Sequence, residues 1–326
     1  MSHEIDMTNN RANFCFTGSR KQIWHGLGQE LEVGAGIDTW IKEAGMDWEV
    51  FESAITYQSY DIANGIQTHA FPDKKALFRS DNHAPLSIVG DTYKIVQPAQ
   101  VLEFFRDLVE NHNMQLSTAG VLFGGKRFWA MADLDKEDFI VNGDKILGKL
   151  LLTTSVDGTL ATTAQFVSER VVCNNTLRIA LNENSTNLVR VTHKSDWDAN
   201  QVKIDLGLID ASWDKFITNM RKLSEVKVED SFAKKYFQDK FYNPKVDATE
   251  QTWGAVKKVD DLMKLFKNGN GSELSGNTAW GVVNAVTDLY THGTGRKQDP
   301  SKKFWSAYMD SDKIKQTVVN DMLELV

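Results

Sequence analysis

Residues 150–181 read LLLTTSVDGTLATTAQFVSERVVCNNTLRIAL, and the fold turns on how that run is parsed. Five threonines fall between Thr153 and Thr163. The dipeptide Asp157-Gly158 between them suits a two-residue hairpin turn of the primed type. With that turn, Thr154 and Val156 share a face with Ala161 and Thr163, while Thr153 and Ser155 share the other with Leu160 and Thr162. Neither face is cleanly apolar, so alternation does not say which one is buried. Two readings stay open: a strand pair using β-branched residues because they suit a pleated sheet, or a groove whose hydroxyls face a sugar-phosphate backbone. Beyond the hairpin, a helix is predicted from about Ser168 to Leu181. On its wheel Val172, Cys173, Thr176, Leu177, Ala180 and Leu181 lie on one side and Asn174, Asn175 and Arg178 on the other, which turns Cys173 toward the core.

Outward from this stretch the middle of the chain stays β-rich. STAGVLFGGKRFWAMADL, residues 117–134, is a second hairpin signal around Gly124-Gly125. Upstream, 47–57, 75–81 and 85–97 read as strands. Asp38 is placed to cap a short helix that Gly45 closes, and AQVLEFFRDLVENH, residues 99–112, as a helix with Val101, Phe104, Phe105 and Leu108 at helical spacing. Residues 186–195 read as one more short strand. From Trp197 the pattern turns helical through 200–225, 249–266 and 278–290, with KNGNGSELSGN and the basic loop THGTGRKQDPSKK as breaks. The predicted organisation is a polar N-terminal arm over 1–22, mobile for want of a hydrophobic period, an α+β core over 23–199, and a mainly helical region over 200–326 packed on that core. The fold class is α+β: antiparallel hairpins packed with helices, followed by helices.

The chain has 326 residues, 41% hydrophobic and 25% charged, within the range of ordinary globular proteins. Nothing in it reads as a secretory leader or a membrane span, so a cytoplasmic protein of a bacterial host cell is expected. Two cysteines, Cys15 and Cys173, make no disulfide framework. The net charge of −7 is uneven: residues 1–114 hold 9 Lys and Arg against 16 Asp and Glu, and the rest is near neutral. A general polyanion binder is disfavoured, yet a local basic groove in the later two thirds is allowed.

Enzyme templates fail in turn. Gly26-Leu27-Gly28 has Leu31 where a dinucleotide loop needs its third glycine, and GTGRK lacks the spacing and hydroxyl residue of a phosphate loop. DLDKED, residues 133–138, departs from a calcium loop at Asp138, where the sharp turn needs glycine. The histidines show no metal-binding spacing, and no cofactor is expected. A nucleophile pair drawn from Cys173 and His193 is opposed by the apolar setting of the cysteine. The basic-aromatic stretches offer more. GGKRFW sets Lys126 and Arg127 beside Phe128 and Trp129, and the later loop sets Arg296 and Lys297 near Phe304 and Trp305. Cations for phosphates and aromatic faces for bases are the two components of single-strand binding.

Several stretches together carry a resemblance: WHGLG at 24–28, AGMDWEV at 44–50, FRSDNHAPLSIVGDTYKIVQ at 78–97, DGTLATTAQFVSERVVCNNTL at 157–177, VRVTHK at 189–194 and NTAWGVVNAVTDLYTH at 277–292. With these, the chain resembles, over nearly its full length, the phage/plasmid-like group built on domain of unknown function 932. The resemblance implies a mobile-element protein without implying an activity. Its motif residues Arg170, Cys173, Asn174, Asn175 and His193 are the positions to watch. The preferred expectation is a DNA-metabolism protein that binds single-stranded DNA as a homo-oligomer, in the manner of an annealing recombination protein. The phosphates would lie on Lys126, Arg127, Lys149, Arg170, Arg178, Arg190, His193, Arg296 and Lys297. The alternatives are an interaction or inhibitor module with a host protein as partner, and an enzyme using Cys173 and His193.

Overall fold

The computed structural model describes residues 5–18, 27–111, 114–140, 143–170, 175–178, 188–206, 209–292 and 312–326. The chain divides into two compact units interleaved in sequence. Residues 1–134, 150–165 and 188–207 form one, and 135–149, 166–187 and 208–326 form the other. An eight-stranded sheet runs in the order β10-β9-β8-β7-β6-β1-β2, with β11 also paired to β9. Its strands are β1 (Phe14–Thr17), β2 (Gln29–Leu31), β6 (Gln115–Leu122), β7 (Arg127–Phe139), β8 (Lys145–Ser155), β9 (Thr162–Arg170), β10 (Asn175–Arg178) and β11 (Leu188–Val191). The parallel pairing of β1 with β2 interrupts an otherwise antiparallel set of registers. The expected α+β class is what the structure shows.

The first unit also holds α1 (Ile37–Glu43), α2 (Pro98–Glu103), α3 (Arg106–Asn111), α4 (Ala199–Leu206) and a separate sheet of β3 (Val50–Asp61), β4 (Gly65–Arg79) and β5 (Pro85–Gly90). Gly124-Gly125 does turn the β6–β7 hairpin, both in left-handed conformation after Phe123 at φ 56°. Gly120 is glycine because Trp129, its partner across that hairpin, lies on it: an added Cβ would come 2.3 Å from the indole ring. Gly45 closes α1 at φ 68°, as expected, but Gly36 rather than Asp38 occupies the cap. The predicted helix over 99–112 is two short helices, since the chain turns at Phe104-Phe105 to bury both rings.

The second unit is mostly helical: α5 (Ile209–Glu225), α6 (Asp230–Phe241), α7 (Trp253–Asn268), α8 (Ser272–Ser275), α9 (Ala279–His292) and α10 (Asp312–Leu323). Helix α9 is buried almost all round, from Ala279 to Thr291, and α5, α7, α10 and β10 pack against it. A helix hydrophobic on every side belongs in a core. Trp280 Nε1 donates to the buried Asp144 carboxylate at 2.9 Å, and the buried Lys315 ammonium donates to Thr291 at 3.2 Å. Tyr236 donates to Asp321 at 2.6 Å, and burial together with that carboxylate pushes its phenol upward.

Three expectations are corrected. Residues 168–170 and 175–178 are strand, not helix: Asn175–Arg178 pairs antiparallel with Val167–Arg170, and those cross-strand bonds settle the local ambiguity of an apolar run. The Asp157-Gly158 turn is wider than two residues, because β8 ends at Ser155 and β9 begins at Thr162. The N-terminal stretch is not a polar arm throughout. β1 lies between β2 and β6, with Cys15 and Phe16 fully buried. Burial raises the Cys15 thiol well above its ordinary pKa, so it is an inert packing group.

Candidate nucleic-acid interface

The threonine hairpin is core. Thr153, Thr154 and Thr163 are all 0% exposed, and Ser155 and Thr162 are buried beside them. The Thr154 and Thr162 hydroxyls meet at 2.7 Å, each satisfying the other across the hairpin. The groove reading of this lining is therefore corrected: these hydroxyls face protein on both sides, with none left to meet a phosphate.

What the hairpin does present is the loop 156–161, held from several directions. Asp157 accepts from the backbone N–H of Thr159 at 3.0 Å, an Asx-type turn. Arg127 donates to the Thr159 hydroxyl at 3.0 Å, and its guanidinium lies 4.9 Å over the Phe123 ring. The Lys126 carbonyl accepts from the Val156 N–H at 2.9 Å, and Ser87 donates to the Val156 carbonyl. Tyr93 donates to the Ser155 carbonyl at 2.9 Å. Burial, with the Asp157 charge adding to it, raises the Tyr93 phenol, so it stays a donor at any physiological pH.

His193 completes the arrangement. Its ring stacks on Tyr93 with centroids 4.4 Å apart, Nδ1 lies 2.9 Å from the Lys94 carbonyl, and Nε2 lies 3.0 Å from the Leu160 carbonyl. A neutral imidazole donates from one nitrogen, and whichever it is, a backbone carbonyl accepts. The Lys94 N–H in turn donates to the His193 carbonyl at 2.7 Å. Lys94 and Lys194, the chain neighbours of this pair, are exposed, as is Arg190 on β11, and Lys94 is paired to Asp196 at 3.1 Å.

Of the nine expected phosphate contacts, Arg127 and His193 thus converge on one loop, Lys126 is half-buried at its edge, and Arg190 is exposed on β11, paired with Thr163 of β9. Lys149 is corrected: it is buried and bonded to Glu169 at 2.9 Å, so it is not a surface cation. Arg170 and Arg178 lie on the paired strands β9 and β10. Arg296 and Lys297 fall outside the described residues, as do Cys173 and Asn174. Sequence reasoning missed Tyr93, Lys94 and Lys194, although DTYK and VRVTHK were among the stretches that carried the resemblance. It also missed Arg79, the charged centre of the first unit. That guanidinium is buried, donates to Asp6 at 2.6 Å and to Asp81 at 2.8 and 2.9 Å, and sits 4.0 Å over the Trp48 ring. Asn13 and Thr8 also bond Asp6, at 2.7 and 2.9 Å. Burial opposes the Arg79 charge, yet the bonds to Asp81 and Asp6 outweigh it and raise its pKa; the same bond holds Asp81 below the usual carboxylate range. The arrangement ties three parts of the chain together and leaves no face of the ion for a ligand.

The family model for a domain of unknown function (DUF932) matches residues 85–309. The chain belongs to that family. Its matched part takes in Tyr93, Lys94, the loop 156–161 and His193, while Arg79 and the motifs before it lie upstream. Neither a curated protein nor a solved structure matches the chain. Among the described residues no cluster of His, Cys, Asp or Glu is placed to hold a metal ion, and no helix is long and apolar enough to cross a membrane.

Proposed function

We propose that this DUF932 protein works by non-covalent binding and that its ligand is single-stranded DNA, taken at the surface around the stacked Tyr93–His193 pair. The observation that carries the reading is an aromatic stack whose chain neighbours Lys94 and Lys194 are exposed, beside the loop that both His193 and half-exposed Arg127 bond, with Arg190 exposed on β11. Aromatic faces for bases and cations for phosphates are what strand binding needs. Asp196 pairs with Lys94, so few phosphates are neutralised and the salt dependence is shallow for a DNA-binding protein. The resemblance to phage- and plasmid-borne proteins supplies the setting: a DNA-metabolism protein in the bacterial cytoplasm that, as a homo-oligomer, brings complementary strands together.

The test is fluorescence anisotropy of the full chain with a labelled thymidine oligonucleotide at low and high salt. Binding at low salt that weakens with salt, and that falls about tenfold in Arg190→Glu with Lys194→Glu, supports the reading. No binding at low salt overturns it. A second reading, a module that grips a host protein, is favoured by one observation, the exposed apolar residues of β3 and β4. Affinity for such a partner changes little with salt, because an apolar contact releases few counterions.

A further inference from the structure

The β3–β4 hairpin outruns its sheet. β5 pairs with β4 only from Lys74 to Phe78, so Ile55–Asp61 and Gly65–Phe71 form a ribbon of two strands with no third beside them among the described residues. It is closed by a turn in which Asp61 accepts from the Ala63 and Asn64 N–H groups and Gly65 is left-handed. Its apolar side chains face solvent: Tyr57 is 51% exposed, Tyr60 75% and Ile62 94%, with Ile66 and Phe71 also exposed. Two-stranded ribbons are marginal in water, and clustered exposed apolar groups mark contact surfaces.

The two edges of the ribbon differ. On β4 the edge is broken at Pro72, which has no N–H, and at Asp73, in left-handed conformation, where the register shifts; Lys74 and Lys75 follow. These are the features by which sheet edges are kept from pairing. The β3 edge has none of them. From Ala54 to Tyr60 it carries no charge, no proline and no glycine. We propose that this edge pairs with the same edge of a second copy, antiparallel about a twofold axis at Gln58, joining two ribbons into one four-stranded sheet.

Chemistry favours a second copy over a nucleic acid. Residues 55–71 contain no Lys or Arg and one acidic residue, Asp61, so they bring no permanent positive charge to a phosphate backbone. A self-facing edge must avoid meeting its own charge. With the axis at Gln58, Tyr57 of one copy stands opposite Ser59 of the other, Tyr60 opposite Thr56, and Asp61 opposite Ile55. Each aromatic ring then has a small side chain across from it, and like charges are never opposed. Edge pairing sets β3 against β3 and covers part of Tyr57 and Tyr60 on each copy, while Ile66 and Phe71 on β4 stay outside the seam, so main-chain hydrogen bonds rather than apolar area carry the contact. This pairing would supply the homo-oligomer of the nucleic-acid reading, but it rests on the hairpin and not on the Tyr93–His193 surface, so loss of assembly and loss of DNA binding are separable.

Sedimentation of the full chain over a range of concentrations reads the assembly directly, against a protomer mass of 36.7 kDa. Dimers, or larger species built from them, are expected at high concentration. Gln58→Lys places like charges on the axis and should shift the assembly toward protomers at least tenfold in concentration; Thr68→Lys, the same charge on β4, should shift it far less. Circular dichroism of both confirms the fold. Gln58→Cys should form a covalent dimer under mild oxidation, which gives a gain of signal independent of the charge variants. A protomer mass at every concentration, or Gln58→Lys assembling as the unsubstituted protein does, overturns the proposal, and the arm then belongs to a different partner.

Discussion

Two hairpins of this chain, both rich in residues suited to strands and neither cleanly alternating, meet opposite fates. β8–β9 carries threonines on both faces and is buried on both; the outer part of β3–β4 carries Ile55, Tyr57 and Phe71 on one face and Tyr60 and Ile66 on the other, and is largely exposed on both. Neighbours, not composition, make the difference. β8 and β9 lie inside an eight-stranded sheet with β7 on one side and β10 and β11 on the other. Beyond Lys74 the β3–β4 ribbon has no sheet neighbour among the described residues. A hydroxyl can therefore be core when another hydroxyl answers it, and an aromatic ring can be surface where no element reaches it.

The sharpest way to break the comparison is at the foot of the exposed hairpin, where Arg79 ends β4. Asp6→Ala leaves that buried guanidinium without one of its two carboxylates and should cost about 3–5 kcal/mol in denaturant unfolding. Asp81 bonds the same guanidinium and is held below its ordinary pKa, so its contribution is present above its unfolded value, near ~4, and lost as pH falls through the folded one. Acid unfolding should begin in that window, and Asp81→Asn should weaken the effect.

Smaller losses are expected in the buried hairpin. Thr154→Val strands the Thr162 hydroxyl in the core and should cost roughly 1–3 kcal/mol, while Thr154→Val with Thr162→Val should recover most of it. Tyr60→Ser in the exposed hairpin should change the stability of the dilute protein by less than about 0.5 kcal/mol. Thr153→Val should be neutral or slightly stabilising. Its buried hydroxyl has no hydrogen-bond partner among the described residues, so the change removes a desolvated polar group. A cost like that of Thr154→Val would show that the hydroxyls act as one network.

Much of the fold was legible in local signals. Gly124-Gly125 between apolar runs marked the β6–β7 hairpin, and helical spacing marked α5, α7 and α9. The failures came where distant partners decide. Asn175–Arg178 lies apolar-side-in on a helical wheel, yet Val167–Arg170 captures it as a strand. Phe14–Thr17 lacks any period of its own and becomes a strand because β6 pairs with it. The length of the exposed hairpin was missed because burial leaves no trace on a ribbon that has none. In the candidate site Arg127, Arg190 and His193 were found from charge and motif. Tyr93 was not, since its part depends on stacking against a residue a hundred positions away.

Hydrogen exchange by mass spectrometry on the dilute full chain tests the central contrast most directly. Amides of Leu150–Ser155 and Thr162–Gln165 should exchange only through global unfolding, and those of Ile55–Phe71 faster by orders of magnitude. Equal protection of the two hairpins in dilute solution, or fast exchange through the threonines, would contradict the account.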